Sequence, residues 1–403
     1  MDGIGYDADR PRVVHLDHTT VRGGAELALV RLLSADPAWT PAVLVPAIDE
    51  VDVFASLAPT VVRRTCGVRQ EAGGSDASPV RLAGLALRLL AQAVLTRTHP
   101  LVRTADVVAA NSTRAAAYAA IALGLSRTPL VVHLRDMIDQ ESLGTFGYRL
   151  MTRLVLPRAD AVIGNSKATL AGALPFLRAD AVPVVIPSAS GLMLSGGRTP
   201  RSGPLRIGML ARIDPWKGQA ELLEAFADAF GGGNEELELA GGAPFEHEAF
   251  AERLRGRAAA LGLADRVHLL GHVDDTHALL GRWDIAVQYS TRAEPMGQNV
   301  LQYLAAGVAA VVADEGGPAE WVTDRVNGRR VAPRDVRELT RALRELGGDD
   351  QERQRLAEAA GRTPGLLEDA AVAAAHAEVF REVLHRREQH ARRRPVQGRA
   401  GIG

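Results

Sequence analysis

Short apolar runs of strand length alternate with helical segments along almost the whole chain, and this alternation restricts the possible folds more than any other feature. In the first half, the predicted strands are residues 12–16, 41–45, 61–62, 106–109, 130–133, 161–163 and 182–186. In the second half, they are residues 205–210, 236–240, 267–270, 285–287 and 308–312. Strands separated by helices favour parallel sheets that are covered by helices on both faces. We therefore predict an α/β fold of two doubly wound, Rossmann-like domains, with a cleft at the carboxyl ends of their strands.

The division into domains follows from length and from one linker. A chain of 403 residues exceeds one ordinary hydrophobic core. Residues 188–204 are rich in Ser, Gly and Pro, which are typical of a connecting segment. We therefore predict an N-terminal domain over residues 1–195 and a C-terminal domain over residues 196–370. A helix at 371–387 is predicted next, before a basic tail at 388–403 that we expect to be disordered.

Composition indicates an ordinary soluble protein. The sequence is 47% hydrophobic and 24% charged, and its net charge of −1 provides no general attraction for nucleic acid. The single cysteine, Cys66, excludes an internal disulfide and fits a reducing compartment. The N-terminus lacks the basic start and apolar core of a signal peptide. We expect a cytoplasmic protein, either a monomer or a homodimer.

The apolar segment 80–95 allows two interpretations. It is predicted to be a long helix that is apolar around most of its circumference, and Arg81, Arg88, Arg97 and Arg103 lie in or beside it. Such a helix can lie on a membrane surface. A core or dimer contact is favoured here over membrane association.

The segment 294–312 has the features of a binding site. Glu294 follows a strand and precedes a predicted helix, on which Met296, Val300, Leu301 and Leu304 share one face. The first N–H groups of a helix lack intrahelical partners, so they favour anions and polar oxygens. The segment therefore predicts an acid and helix-end N–H groups that face one ligand, although an acid at this position can also serve only as a cap.

A second candidate site lies in the loop 211–218. Arg212 and Lys217 stand five residues apart where a strand passes into a helix, a position that suits a diphosphate. Lys167 and Lys217 are the only lysines of the chain, and a compact ammonium fits a phosphate where a guanidinium is too large. The structural alternative is a solvated turn.

Other turns repeat this arrangement. Gly23 and Gly24 follow the first strand, and glycine lets backbone N–H groups approach a ligand closely. Residues 315–320 form a further Gly-rich turn between a strand and a helix. A lone histidine such as His133 is commonly structural, but the adjacent Arg135 and Asp136 favour a position in the cleft.

Several chemistries are excluded by their missing motifs. The sequence has no P-loop, no Gly-x-Gly-x-x-Gly after a strand, no Gly-x-Ser-x-Gly and no metalloprotease His-Glu-x-x-His. The inferred cleft has no clustered carboxylates for a divalent ion. We expect neither a metal nor another cofactor.

Together these motifs resemble the retaining GT-B glycosyltransferases of family 4, the glycosyl transferases group 1, over about residues 12–385. The resemblance rests on the glycine pair, on Gly-x-x-x-Arg-x-x-x-x-Lys-Gly, on Glu-Pro-x-Gly and on Gly-Gly-x-x-Glu. It implies metal-independent transfer of a sugar, with retained configuration, from a nucleotide diphosphate sugar to a hydroxyl of a small polar natural product or a glycan. UDP-sugars are the family's usual donors.

The resemblance also implies residue roles. Arg212 and Lys217 would hold the diphosphate, and Glu294 would hold the donor sugar. His133 would lie near the transferred sugar, and the final helix would pack back on the N-terminal domain. The remaining donor-binding residues implied are Gly23, Gly24, His272, Val273, Met296, Gly297, Gln298, Asn299 and Gln302.

One position departs from the family pattern. Gln302 replaces a second acid, which in relatives binds the ribose hydroxyls. Glutamine keeps an acceptor oxygen and adds donors, so ribose binding remains feasible. Counted as helical, Glu294 and Gln302 are about two turns apart on one side of the helix. Two alternatives stay open. A coupling enzyme of the pseudoglycosyltransferase type would have nearly the same motifs, so product analysis must distinguish it. A non-catalytic nucleotide-sugar-binding subunit is permitted by Gln302, although the intact set of Arg212, Lys217 and Glu294 argues against it.

Overall fold

The computed structural model describes residues 10–49, 51–69, 79–194, 203–243 and 247–393. These residues fall into two compact units. Unit 1 comprises the described residues of Met1–Asn165, Thr169–Ala189 and Asp369–Gly403, and unit 2 those of Ser166–Ala168 and Ser190–Glu368.

Unit 1 is built on a seven-stranded parallel sheet with the order β3-β2-β1-β4-β5-β6-β7. Its strands are β1 Arg12–Leu16, β2 Thr40–Val45, β3 Val62–Thr65, β4 Val107–Ala110, β5 Leu130–Leu134, β6 Ala161–Gly164 and β7 Val182–Val185. The central strands β4, β5 and β6 are buried along their whole length. Apart from His133 in β5 and Gly164 in β6, these strands consist of Val, Leu, Ile and Ala, which suits them to a parallel sheet with helices on both faces.

Unit 2 repeats this architecture with six parallel strands in the order β10-β9-β8-β11-β12-β13. Its strands are β8 Arg206–Leu210, β9 Glu236–Ala240, β10 Val267–Gly271, β11 Ile285–Gln288, β12 Ala309–Ala313 and β13 Arg329–Val331. One core cluster contains Leu222 and Phe226, and a second contains Leu301 and Leu304. The fold class predicted from the alternation, two doubly wound Rossmann-like sheets, is confirmed.

The helices lie between the strands as predicted, with differences at their ends. They are α1 Gly24–Ser34, α2 Pro79–Thr98, α3 Pro100–Thr104, α4 Thr113–Ala122, α5 Gln140–Leu150, α6 Leu156–Arg158, α7 Lys167–Ala173, α8 Gln219–Phe230, α9 Glu248–Ala260, α10 Thr276–Gly281, α11 Gln298–Ala305, α12 Gly316–Trp321, α13 Val336–Gly348, α14 Asp350–Ala360 and α15 Asp369–Arg393. Short 3-10 or π turns occupy Val53–Ser56, Met151–Val155, Leu174–Phe176 and Pro215–Lys217.

Helix α15 packs within unit 1. Phe380 is fully buried, and its ring meets Trp39 edge-on at a centroid distance of 5.0 Å. The helix continues to Arg393, so residues 388–393, predicted as part of a disordered tail, are helical.

Some sequence predictions lie outside the described residues. The domain boundary predicted at 195/196 falls within 195–202, and the end of the predicted tail is 394–403. Strand β13 was not predicted. Across the described ranges, no helix combines the length and apolar character needed to cross a membrane.

Candidate active site

The strand orders place one switch point in each unit. The order reverses between β1 and β4 in unit 1, and between β8 and β11 in unit 2. In open α/β sheets, ligands bind outside the carboxyl ends of the strands at such points. The loops after β8 and β11 contain Arg212, Lys217 and Glu294, so unit 2 brings these predicted residues to one edge of its sheet.

Glu294 is the centre of a polar cluster. Its Oε1 accepts a hydrogen bond from Nζ of Lys217 at 2.6 Å. Its Oε2 accepts bonds from Oγ of Ser290 at 2.7 Å and from Nε2 of Gln288 at 3.0 Å. Burial alone would raise the pKa of Glu294, but the charge of Lys217 and these three hydrogen bonds outweigh it, and the pKa lies below its usual value. The carboxylate is therefore ionised and held in one orientation.

Lys217 is fixed by the turn that contains it. Its Nζ lies 4.0 Å from the centroid of the Trp216 ring, a cation–π contact. Gly218 follows with φ of +85°, and a Cβ at this position would lie 1.8 Å from the carbonyl oxygen of Tyr289. Only glycine allows this close approach between the β8 and β11 loops. Lys217 therefore ends a 3-10 turn, and helix α8 starts after Gly218, at Gln219.

Arg212 is the more exposed of the two predicted diphosphate ligands. Its side chain is 58% exposed, and its Nη2 donates a hydrogen bond to Oδ2 of Asp214 at 2.9 Å. Asp214 is buried, and it also caps the 3-10 turn by accepting from the N–H of Trp216. The guanidinium is thus oriented by a fixed carboxylate while much of it remains open to a ligand.

Helix α11 supplies the predicted N–H groups. It begins at Gln298 after Gly297, which has φ of +72° and, as a glycine, no side chain that could cap the helix. A Cβ on Gly297 would lie 2.7 Å from Cγ of Pro318 in α12. Met296 is buried, and Asn299 donates to the carbonyl of Leu210 at 3.0 Å, which ties the helix to the end of β8.

Contrary to the prediction, Glu294 and Gln302 do not share a helix face. Glu294 lies in the loop before α11, so counting eight helical residues from it was wrong. Gln302 lies within the helix, is 9% exposed, and donates from Nε2 to the carbonyl of Ser190 at 3.1 Å. Its assignment to a ribose stays a prediction.

His272 and Val273 lie beyond the carboxyl end of β10, at one edge of the unit 2 sheet. His272 is half-exposed, and its Nε2 lies 3.0 Å from Oδ1 of Asp274. Val273 is partly buried against the second core cluster of unit 2. Their assignment to a nucleobase stays a prediction.

Gly23 and Gly24 form the start of α1, directly after the β1 loop. Gly23 is the N-cap and has no side chain with which to cap the helix. Glu26, in the first turn, is buried, and a Cβ added to Gly23 would lie only 2.4 Å from its Oε2. The predicted backbone site of unit 1 therefore lies beside a buried carboxyl group that sequence reasoning missed.

His133 is buried in unit 1 and is not an exposed residue of the sheet edge. Its ring lies 5.0 Å from that of His376 in α15, and Nη2 of Arg135 lies 3.4 Å from its Nδ1. Its Nε2 has no hydrogen-bond partner among the described residues. Burial, then the nearby His376, Arg135 and His15, hold the pKa of His133 far below its usual value, so the ring is neutral. Its role in transfer stays a prediction.

A polar cluster at the β1/β4 switch point was also missed. Asp17 is fully buried, its Oδ1 lies 3.2 Å from Nδ1 of His18, and its Oδ2 accepts from Asn111 at 2.6 Å. Oγ of Ser112 lies 2.8 Å from the same His18 nitrogen. Asp17 directly follows β1 and Asn111 directly follows β4, so the strand-end rule applied to polar residues would have found both.

Glu26 extends this cluster. Burial, then the nearby charge of Asp17, raise its pKa to about 7. The ligand atoms of Asp17, His18 and Glu26 lie within 4.8 Å of one another, the one such group of potential metal ligands in the described ranges. The absence of a metal requirement therefore stays a prediction for a direct test.

Comparison with known proteins agrees with this geometry. Residues 198–363 match the sequence family described as Glycosyl transferases group 1. The lipopolysaccharide core biosynthesis mannosyltransferase LpcC of Rhizobium leguminosarum bv. viciae is 38% identical over 98 residues, which span 24% of this chain and 28% of LpcC. The glycogen synthase of Mycobacterium tuberculosis is 42% identical over 93 residues, which span 23% of this chain and 22% of that enzyme.

Solved structures share the fold over most of the chain. Anabaena HepE in complex with UDP has a TM-score of 0.76 and 24% identity, covering 92% of this chain and 100% of that one. Sucrose-phosphate synthase from Thermosynechococcus elongatus also has a TM-score of 0.76, at 17% identity, covering 94% and 100%. Residues 198–363 are thus similar to the glycosyl transferases group 1, and the two Rossmann-like sheets of the chain have the GT-B fold of these solved structures.

Proposed function

We propose that the protein is a glycosyltransferase that moves a sugar from a nucleotide diphosphate sugar to an acceptor hydroxyl. The main support is the cluster in which Lys217 donates a hydrogen bond to the ionised Glu294, with Arg212 on the same β8 loop as Lys217. It combines cations for a diphosphate with a fixed carboxylate for sugar hydroxyls. The family match of residues 198–363 covers all three residues.

The chemical roles follow from charge. As the bond between the sugar C1 and the phosphate oxygen breaks, negative charge grows on the diphosphate. Arg212, Lys217 and the N–H groups at the start of α11 would stabilise this charge without reorganising, which is an efficient form of catalysis. Glu294, ionised and fixed by three hydrogen bonds, would accept from the donor sugar's hydroxyls and orient the ring.

We further propose that the configuration at C1 is retained and that no metal is required. The acceptor oxygen would bond to C1 on the face that the phosphate leaves, and the acceptor proton would pass to the departing phosphate oxygen. No protein nucleophile takes part in this scheme. The two cationic side chains would take the role that a divalent ion has at other diphosphate sites.

The donor is proposed to be a UDP-sugar, because HepE was solved with UDP and, in another crystal, with UDP-glucose. The acceptor would be a glycan or a small polar natural product. The similarity to LpcC and to the lipopolysaccharide core biosynthesis glycosyltransferase LpsE of Rhizobium meliloti favours a glycan.

The test is a turnover assay with product analysis. Purified protein would be incubated with UDP-sugars and an acceptor library, UDP release would be followed, and proton NMR would give the anomeric configuration of each product. We expect Arg212→Ala to lower kcat by roughly a hundredfold, the scale of losing one preorganised donor to a developing charge. A coupled product without a glycosidic bond would instead indicate the pseudoglycosyltransferase alternative, and donor binding without turnover would indicate a binding subunit.

A matched control is available in the same unit. Arg257 is also half-exposed, and its Nε is paired with Oε1 of Glu224 at 2.6 Å on the helical face formed by α8 and α9. Arg257→Ala removes a similar arginine–carboxylate pair away from the β8 and β11 loops, and we expect wild-type turnover. Equal losses of turnover in Arg212→Ala and Arg257→Ala would mean that Arg212 contributes to the stability of the protein and not to catalysis with the donor.

A further inference from the structure

Arg292, in the loop after β11, is a further cationic residue beside the candidate donor site of unit 2. Its Cζ lies 4.2 Å from the centroid of the Trp216 ring, which is a cation–π contact. Nζ of Lys217 lies 4.0 Å from the same centroid. One indole ring therefore holds two cations, and it brings Arg292 close to Lys217.

The backbone next to Arg292 is fixed by hydrogen bonds. The N–H of Thr291 donates to the carbonyl of Trp216 at 2.8 Å, and the Thr291 hydroxyl donates to the same carbonyl at 3.3 Å. The carbonyl of Thr291 accepts from Nη1 of Arg334 at 2.9 Å, and this nitrogen also donates to Oε2 of Glu315 at 2.8 Å. The position of Arg292 therefore follows from the fold of the β8 and β11 loops.

The charge of Arg292 differs from that of the two predicted diphosphate ligands. Arg212 is paired with Asp214 at 2.9 Å, and Lys217 is paired with Glu294 at 2.6 Å. These two pairs have no net charge. The guanidinium of Arg292 has neither a hydrogen bond nor an ion pair with any residue that the structure describes. Arg292 therefore makes this group of five charged side chains positive.

A diphosphate needs such a charge. Each paired carboxylate repels a phosphate while its cationic partner attracts it, so two neutral pairs attract an anion less than two free cations would. A guanidinium suits phosphate oxygens because its N–H groups can make two parallel hydrogen bonds. The contact of Arg292 with the Trp216 ring leaves these N–H groups available.

We propose that Arg292, held against Trp216, binds the diphosphate of the donor together with Arg212 and Lys217. This assignment rests on the proposed function and adds a donor-binding residue to it, with Trp216 as a positioning residue. An anionic group of the acceptor is the other possible ligand. The donor is favoured because Lys217, on the same ring, is bound to Glu294, to which the donor sugar is assigned.

Calorimetric titration of UDP at low and at high salt tests the proposal. We expect Arg292→Gln to bind UDP at least about tenfold more weakly than wild type at low salt, because a charge-assisted contact with phosphate is lost. Salt should weaken UDP binding to wild type more than to Arg292→Gln, because it screens the attraction of a positive site. Arg292→Lys keeps the charge, so it should keep the wild-type salt dependence.

Arg253→Gln is the matched control. Arg253 also lies over an aromatic ring, with its Cζ 5.5 Å from the centroid of the Phe250 ring. Both residues belong to α9, away from the β8 and β11 loops. The control variant should bind UDP with the affinity and the salt dependence of wild type.

Three results would overturn the proposal. If Arg212→Ala weakened UDP binding and Arg292→Gln did not, the assignment of Arg292 would be wrong and the proposed function would stand. Weaker binding by Arg292→Gln with unchanged salt dependence would mean that Arg292 acts through packing on Trp216 and not through its charge. If the wild type bound no nucleoside diphosphate, the proposed function would fail, and the assignment of Arg292 with it.

Discussion

The buried histidines of unit 1 predict a loss of stability in mild acid. His15 and His376 are both buried in contact with the ring of Phe380, where α15 packs on the rest of unit 1. Burial, then the charges of His376 and Arg135, lower the pKa of His15 to about 3. Burial lowers the pKa of His376 to about 4, although its bond to the Val372 carbonyl opposes this.

The sign follows from proton binding. Between these values and the usual 6.5, the unfolded chain binds protons that the folded chain does not, so stability falls as the pH falls. At pH 5.0 each histidine lowers the free energy of unfolding by about 1.36 × 1.5, or about 2 kcal/mol, relative to its value at neutral pH. Glu26 contributes with the opposite sign, because its pKa is raised to about 7.

The difference between variants isolates one histidine. In His376→Gln the contributions of His15 and Glu26 remain, so the loss of stability between pH 7.5 and 5.0 should shrink by about 2 kcal/mol relative to wild type. Hydrogen exchange of amides in β1 and α15, corrected for intrinsic rates, gives the opening free energy of unit 1. His390→Gln, an exposed change on the same helix, should leave the wild-type pH dependence unaltered. Equal pH dependence in wild type and His376→Gln would refute the reasoning.

Three further predictions concern unit 2 and the proposed reaction. Gly218→Ala should lower kcat strongly and reduce the melting temperature, because it places a Cβ against the Tyr289 carbonyl. Gly232→Ala is the control and should behave like wild type, because a Cβ at Gly232 meets open space. Wild-type turnover in Gly218→Ala would contradict the Lys217 assignment. Gln302→Leu should raise the donor KM with little change in kcat, because a bond made equally in ground and transition states is lost; unchanged KM in initial-rate measurements would remove the ribose assignment. Activity should persist in excess EDTA, and complete loss that magnesium or manganese restores would contradict metal independence.

Most strands could be predicted because a strand that is buried on both faces appears in the sequence as a largely apolar run. Residues 161–163 and 285–287 were predicted one residue short of the observed strands β6 and β11, since helices on both faces of a parallel sheet require Val, Ile, Leu and Ala at successive positions. Strand β13, Arg329–Val331, was missed because two of its three residues are arginines. Arg329 lies buried there through ion pairs with Asp324 and Glu345, and periodicity does not detect such compensation.

Two results concern geometry that periodicity does not encode. The segment 80–95 was predicted to be a core or dimer contact; Ala93 of α2 is indeed buried in the core of unit 1, whereas Leu87, Leu90 and Val94 are exposed. Which side of a helix meets the core depends on partners from elsewhere in the chain, here Cys66 and Val68. The helix after Glu294 was extended too far because Gly297 was read as part of a regular turn. Its left-handed conformation separates the Glu294 loop from α11.

The candidate donor site could be located in the sequence because its residues combine two signals. Arg212, Lys217 and Glu294 each follow a strand, and each is of a type that suits a diphosphate or a sugar. What the sequence did not reveal is that Lys217 and Glu294 bind each other at 2.6 Å, since they are 77 residues apart. The polar cluster around Asp17 was missed because only glycines and His133 were considered in unit 1.

Calorimetric titration of UDP tests the donor site most directly, because it measures binding without an acceptor. We expect wild type and Arg257→Ala to bind UDP with equal dissociation constants, and Arg212→Ala to bind at least about tenfold more weakly, a loss of about 1.4 kcal/mol. Binding of UDP by Arg212→Ala as tight as by wild type would contradict the diphosphate assignment. If the wild type bound no nucleoside diphosphate at all, the proposed function would be contradicted as well.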